Sequence, residues 1–161
     1  ENEDVRKACL GVLWRSAEAA EYQKVEDMYI GFLSNESPVL LGYSLEGLGY
    51  MKSVKAYDKV LETVEKFGAN ETYCSYTSRA LTNYIIFEPK EGIDAKKAFS
   101  LAVKMVNNNA LKPSYRSYYI YTIETFGGKE GQATLAKLAT SKDKEIADPA
   151  KQAQQRLKDK K

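Results

Sequence analysis

Four tyrosines, an arginine and a phenylalanine crowd into "SYRSYYIYTIETF", residues 114–126. Ring faces beside a guanidinium can grip a base, a sugar or a peptide by stacking and cation–π attraction. The same rings at helical spacing also build an ordinary core. Elsewhere the chemistry is sparse. The chain has no histidine, which removes the commonest general base and the commonest zinc ligand. Its two cysteines, Cys9 and Cys74, are too few to close a structural zinc site, and neither has an imidazole to activate it. "GYSLEG" approaches the hydrolase elbow G-x-S-x-G, but its second glycine comes one residue late and the run has helical periodicity, so Ser44 reads as a small packing residue. "GGKEG", residues 127–131, lacks the P-loop spacing and reads as a turn between helices. The carboxylate pairs Glu26/Asp27 and Asp58/Glu62 read as solvated helix faces. "NET" at Asn70 is a glycosylation sequon in a loop, and "NES" at Asn35 is spoiled by Pro38. No catalytic residue, metal site or cofactor is assigned, and the chain is not read as an enzyme.

What must position these residues is one domain. A chain of 161 residues with 43% hydrophobic and 29% charged residues is globular and long enough to bury a core. No apolar run approaches the roughly 20 residues that cross a bilayer; the richest, "PVLLGYSLEGLGYM", is broken by Glu46 and glycines. The net charge of +2 is unevenly spread: residues 1–80 sum to −4 and residues 81–161 to +6. The second half therefore suits an acidic partner or head-to-tail self-contact. The sequence opens at Glu1 without an initiator Met, which reads as a processed or excised piece and leaves the compartment unknown.

Helical periodicity dominates. "KAYDKVLETVEKFG" puts Tyr57, Val60, Leu61, Val64 and Phe67 on one stripe, stopped by Gly68. "IDAKKAFSLAVKMV" does the same with Ala98, Leu101, Ala102, Met105 and Val106, and "NYIIF", residues 83–87, continues a helical stripe. A ladder with four-residue steps then recurs along the chain: Val5, Cys9, Leu13; Leu40, Ser44, Leu48; Tyr76, Ala80, Tyr84; Tyr115, Tyr119, Ile123; Pro149, Ala153, Leu157. Its starts are 35, 36, 39 and 34 residues apart, the signature of stacked supersecondary units. Between these A helices lies a B helix each time, near 22–33, 53–67, 93–107 and 129–140.

"DVRKACLGVL" resembles the first helix of a HEAT-like repeat, with Val5 and Arg6 where that family has its Val-Arg pair. Ser44, Gly47, Leu48 and Gly49 are similar to its small-x-x-small-Leu-Gly end, and "DPAKQAQQRL" resembles the same helix after its Asp-Pro turn. A tetratricopeptide-like pairing has a similar period and stays open. Either resemblance implies an all-α, right-handed α-solenoid spanning residues 1–161, with about four helical hairpins plus a C-terminal capping helix. The repeats start near 4, 39, 75, 114 and 148. Small residues (Ala8, Cys9, Ser44, Ala80) would let neighbouring helices approach, and Lys151, Gln154, Gln155 and Lys158 would give the last helix a wet face. The apolar N-terminal edge is expected to meet preceding chain, a partner or a second copy. Packed helices lie about 8–10 Å apart, so Cys9 and Cys74, on the first and third A helices, fall too far apart for a disulfide, which needs Cα atoms within about 7 Å. Two free thiols are expected.

The resemblance further implies a non-catalytic protein-interaction scaffold working through its exposed B helices. The candidate partner surface is Lys55, Asp58, Lys96, Lys97, Lys104 and Lys137, joined by Tyr121, and its partner would be a protein or an extended acidic peptide. The alternatives are an accessory or lyase-type domain of a larger enzyme, as in the HEAT-like bilin lyases, or weak nucleic-acid binding through the basic second half. A net charge of +2 disfavours the last.

The repeat register also sorts the tyrosines. Tyr115, Tyr119 and Ile123, with Phe126, take the core stripe; Tyr121 falls with Ser117 and Glu124 on the polar face, and Tyr118 sits at the boundary. In a urea melt, Tyr119→Ala should cost roughly 3 kcal/mol or more and Tyr121→Ala almost nothing; the reverse order would overturn this register.

Overall fold

The computed structural model describes residues 2–16, 18, 20–35, 37–86 and 90–159, which form helices and turns with no strand among them. The helices are α1 (Glu3–Ser16), α2 (Tyr22–Phe32), α3 (Pro38–Met51), α4 (Tyr57–Phe67), α5 (Cys74–Ile85), α6 (Ala95–Val106), α7 (Pro113–Arg116), α8 (Tyr118–Phe126), α9 (Gly128–Leu138) and α10 (Lys144–Asp159).

Local chemistry explains where these helices begin and end. Pro38 opens α3 at a first-turn position, where its missing N–H costs nothing. The Asp94 carboxylate caps α6 by accepting from the Lys96 N–H at 2.9 Å. The sequence-read stripe of α4 is buried at Tyr57, Val60 and Val64, while Asp58 and Glu62 stay exposed. Helix α3 is buried on almost every side, from Val39 through Gly49, which marks it as a central element. Among described residues no helix is long and apolar enough to cross a membrane.

The helices assemble in two rows. In the central row α1 packs on α3, α3 on α5, α5 on α8 and α8 on α10. The flanking helices fit between them: α2 against α1 and α3, α4 against α5 and α6, α6 against α5 and α8, α9 against α8 and α10. Glycines of α3 let both α2 and α5 approach it closely. A Cβ on Gly47 would stand 2.6 Å from the Tyr29 ring, and one on Gly49 only 3.0 Å from the Ala80 carbonyl oxygen.

Several expectations are corrected. The stretch 113–126 is not one helix: α7 ends at Arg116 and α8 begins at Tyr118, and between them the Ser117 hydroxyl donates back to the Ser114 carbonyl at 2.6 Å. Helix α10 starts at Lys144, so Pro149 lies inside it rather than in a turn before it. Val5, Ala8 and Cys9 are exposed. As the end of the row, α1 has a neighbour on one side only, and Leu10 is what it buries. Ser44 and Ala80 are fully buried, as expected of small residues between helices. Glu124 is not on a wet face: α10 covers it, and Arg156 donates to it through Nε at 2.9 Å and Nη2 at 2.7 Å. Both cysteines are free thiols. Glu1 and Phe87 lie outside the described residues.

The close approach gives a ranked test. Gly47→Ala should destabilise by roughly 1–3 kcal/mol in urea, because the buried Tyr29 ring must move. Gly31→Ala, with open space around the site, should be neutral or stabilising. A harmless Gly47→Ala would contradict the packing.

Candidate functional site

A concavity walled by aromatic rings lies on the central row. Helix α5 runs between α3 and α8, and where the three meet a cleft of about 490 Å³ opens. Tyr50 of α3 stands on one side and Tyr118 and Tyr121 of α8 on the other, with Arg79 and Asn83 of α5 between them. The three rings are 43%, 48% and 54% exposed, unusual for tyrosines in a chain that buries so many. Their hydroxyls make no hydrogen bond among the described residues. Tyr118 and Tyr121 are three apart on one helix and therefore neighbours on its surface. Tyr50 is fixed from behind by Trp14, stacked at 4.3 Å with 9° between planes, and the Arg15 guanidinium sits 4.7 Å from the Trp14 ring centre.

The hydroxyls of α5 turn inward instead. Thr82 Oγ1 donates to the Ser78 carbonyl at 2.9 Å and lies 2.8 Å from Thr122 Oγ1, which in turn reaches the Ser78 carbonyl at 3.2 Å. The Ser78 hydroxyl donates to the Ser75 carbonyl. These contacts zip α5 to α8, and the Tyr50, Tyr118 and Tyr121 hydroxyls in the cleft remain able both to donate and to accept. Arg79 gives one N–H to Glu46 at 2.7 Å and keeps its others. Asn83 Nδ2 is buried without a partner, a cost unless something meets it.

Lys52 and Ile86 line the cleft beside the ends of α3 and α5. Lys52 ends α3 in the left-handed region, at φ 47°, and its ammonium donates to the Ile86 carbonyl at 2.5 Å. Lys90 donates to the Met51 carbonyl at 2.9 Å. The two lysines thus answer carbonyls at or just beyond the ends of α5 and α3. Burial, and secondarily the charge of Lys90, lowers the Lys52 pKa.

Of the residues expected from sequence to form the partner surface, Asp58, Lys97 and Lys104 come together along one open depression between α4 and α6, while the others stand apart. Tyr121 lines the cleft; the other six lie on or beside the flanking helices. There the cations meet carboxylates of the next helix: Lys55 with Asp27 at 2.6 Å, Lys97 with Asp58 at 3.7 Å, Lys96 with Glu130 at 3.0 Å, and Lys104 with Glu65. Lys137 has no ion pair among the described residues and borders a shallow depression with Asn107 and Thr134. This row is therefore a ladder of exposed ion pairs, far less basic than its lysines suggest. Sequence reasoning missed Tyr50, Arg79 and Asn83. The four-residue spacing of Arg79 and Asn83 was visible, but its meaning depends on α3 and α8 flanking α5.

No group of three or more His, Cys, Asp or Glu side chains suited to a metal is found among the described residues. Neither a scan against protein-family models nor searches of curated proteins and of solved structures finds a match to this chain.

Glu46 gives a pH test. Its burial raises the carboxyl pKa, and the pull of Arg79 only partly offsets this. The folded chain then holds this proton more tightly than the unfolded one. That contribution to stability is full below the unfolded carboxylate range and is lost as pH rises through the folded value. Glu46→Gln should therefore gain stability over wild type between about pH 4 and pH 7, read by urea melts at both. A constant difference would show that burial and Arg79 cancel, and a relative loss of stability toward pH 7 that Arg79 outweighs burial.

Proposed function

We propose that this chain is a non-catalytic protein-interaction scaffold of the α-solenoid type, HEAT-like in its helix pairing, and that its working surface is the tyrosine cleft of α3, α5 and α8. The single observation that carries this reading is the cleft: three half-exposed rings and an unsatisfied amide donor converge there, while the chain's other large aromatics are mostly spent inward. Aromatic anchors in a concave, partly polar setting are typical of binding hot spots. The repeat-like spacing of helices and the ordered central row support the solenoid reading. The ion-paired lysines make the flanking row the lesser candidate for an acidic partner. The groove at the open edge of α1, lined by Val5, Cys9, Met28 and Phe32, supports a further contact there with more chain or a second copy.

A photo-crosslinking residue placed at position 121, and separately at position 97, separates the two surfaces in cells that make the protein. The expected result is a discrete protein adduct from position 121, lost when Tyr50→Ala is added, with none from position 97. Adducts from position 97 alone, or from neither, would contradict the proposal.

A further inference from the structure

Resting on the reading of the α1 edge as a contact surface, and independent of the tyrosine cleft, we infer that its partner is a second copy of this chain. The two copies dock antiparallel, α1 against α1, about a two-fold axis. Helix α1 packs on α2 and α3, which leaves its outer face uncovered. A helix beside solvent ordinarily turns charge outward; α1 turns valine outward. At about 100° per residue, Val5, Ala8, Cys9 and Val12 share an arc of about 100°. All four are exposed, Val5 at 58% and Val12 at 46%.

Two features select a second copy. The first is shape. By size the stripe reads the same from both ends: valine, two residues, two small residues, two residues, valine. An antiparallel pair turned about the point between Ala8 and Cys9 sets Val5 of each copy on Val12 of the other. Ala8 and Cys9 then meet at the crossing, where small side chains let helix axes approach to about 8 Å. The second is charge. Asp4 and Arg15, both exposed, stand about 20° apart on one flank of the stripe, one near each end. The two-fold axis keeps that flank on one side of the pair, so Asp4 of each copy meets Arg15 of the other. Their distances from the turning point differ by two residues, about 3 Å along the helix, well within reach of an arginine side chain. Within its own chain Asp4 meets Lys7 at 3.9 Å and keeps 89% of its side chain exposed. A parallel pair would instead turn this charged flank to the uncharged Cys9 flank.

Other occupants fit less well. The far end of the row, α10, exposes Lys151, Gln155 and Lys158, so a head-to-tail stack would lay valines on a wet surface. The pairing is therefore isologous and closes at two copies. An acidic or a basic partner would answer one of Asp4 and Arg15 and confront the other with like charge. One helix pair is a small interface beside the roughly 1,200–2,000 Å² of stable complexes. The dimer is accordingly weak and concentration-dependent.

The test is sedimentation equilibrium of the full chain, reduced, from about 10 µM to about 1 mM. Wild type should pass from monomer toward dimer over this range. Val12→Glu, at an exposed position, should stay monomeric with a thermal midpoint within about a degree of wild type. Asp4→Arg and Arg15→Asp should each weaken the dimer about threefold or more, and combining them should restore it to within about twofold. A short bismaleimide should join two copies through the exposed Cys9 in wild type and fail to do so in Val12→Glu. A monomer at every concentration, a dimer that survives Val12→Glu, or a charge swap that restores nothing would overturn the inference. A photo-crosslinking residue at position 12 in cells separates it from the reading beneath. If the chain is monomeric yet position 12 gives an adduct with another protein, the second copy falls and the α1 contact surface stands. If it is monomeric and position 12 gives no adduct, that surface is refuted too.

Discussion

Buried phenol hydroxyls donating to backbone carbonyls of a neighbouring helix or helix end hold this structure together. Tyr22 reaches the Met51 carbonyl at 2.8 Å, Tyr29 that of Leu10 at 2.6 Å, Tyr57 that of Asp94 at 2.5 Å, Tyr84 that of Ser53 at 3.0 Å, and Tyr119 that of Gly68 at 2.8 Å. Most of these carbonyls stand at or just beyond a helix end, where the backbone lacks its own donors. A carbonyl buried there without a partner would cost about 1–3 kcal/mol. The ring fills the space between helices and the hydroxyl answers the carbonyl, so one side chain solves both problems. Burial pushes the phenols of Tyr29 and Tyr57 up to about 12 and raises those of Tyr84 and Tyr119 as well, keeping them donors throughout the ordinary pH range.

This arrangement decides which tyrosines remain outside. The Tyr119 hydroxyl, also 2.6 Å from Thr77 Oγ1, ties α8 to both α5 and the end of α4. That fixes the rotation of α8 and so turns Tyr118 and Tyr121 outward. Tyr84 performs the same service for α5, and the rotation it sets presents Arg79 and Asn83 between α3 and α8. The cleft is thus the outer side of the packing that the inner tyrosines impose, with Thr82 and Thr122 closing the seam beneath it.

Much of this was legible in the sequence. Period and breakers such as Gly68 marked the helices, and the ladder put Tyr119 inside and Tyr121 outside. What escaped depended on contacts between segments far apart in the chain. Lys104 looks like a free cation until Glu65, on another helix, stands beside it. Glu124 looks solvated until α10 lays Arg156 across it. The break at Ser117 leaves no mark in the hydrophobic periodicity, which runs through it from Tyr115 to Ile123. Tyr50 read as one more apolar residue of α3, because nothing in that run shows that Trp14 backs it and that α8 faces it.

Native-state hydrogen exchange on Tyr84→Phe/Tyr119→Phe tests most directly whether these hydroxyls unite the helices. The substitution keeps the rings and removes only two donors. If the hydroxyls bind successive helix pairs into one cooperative body, the slowest amides of α3, α5, α6 and α8 should lose protection together, by about 2 kcal/mol or more. Protection lost only beside the two substituted rings, or not at all, would show that the helices stack without them.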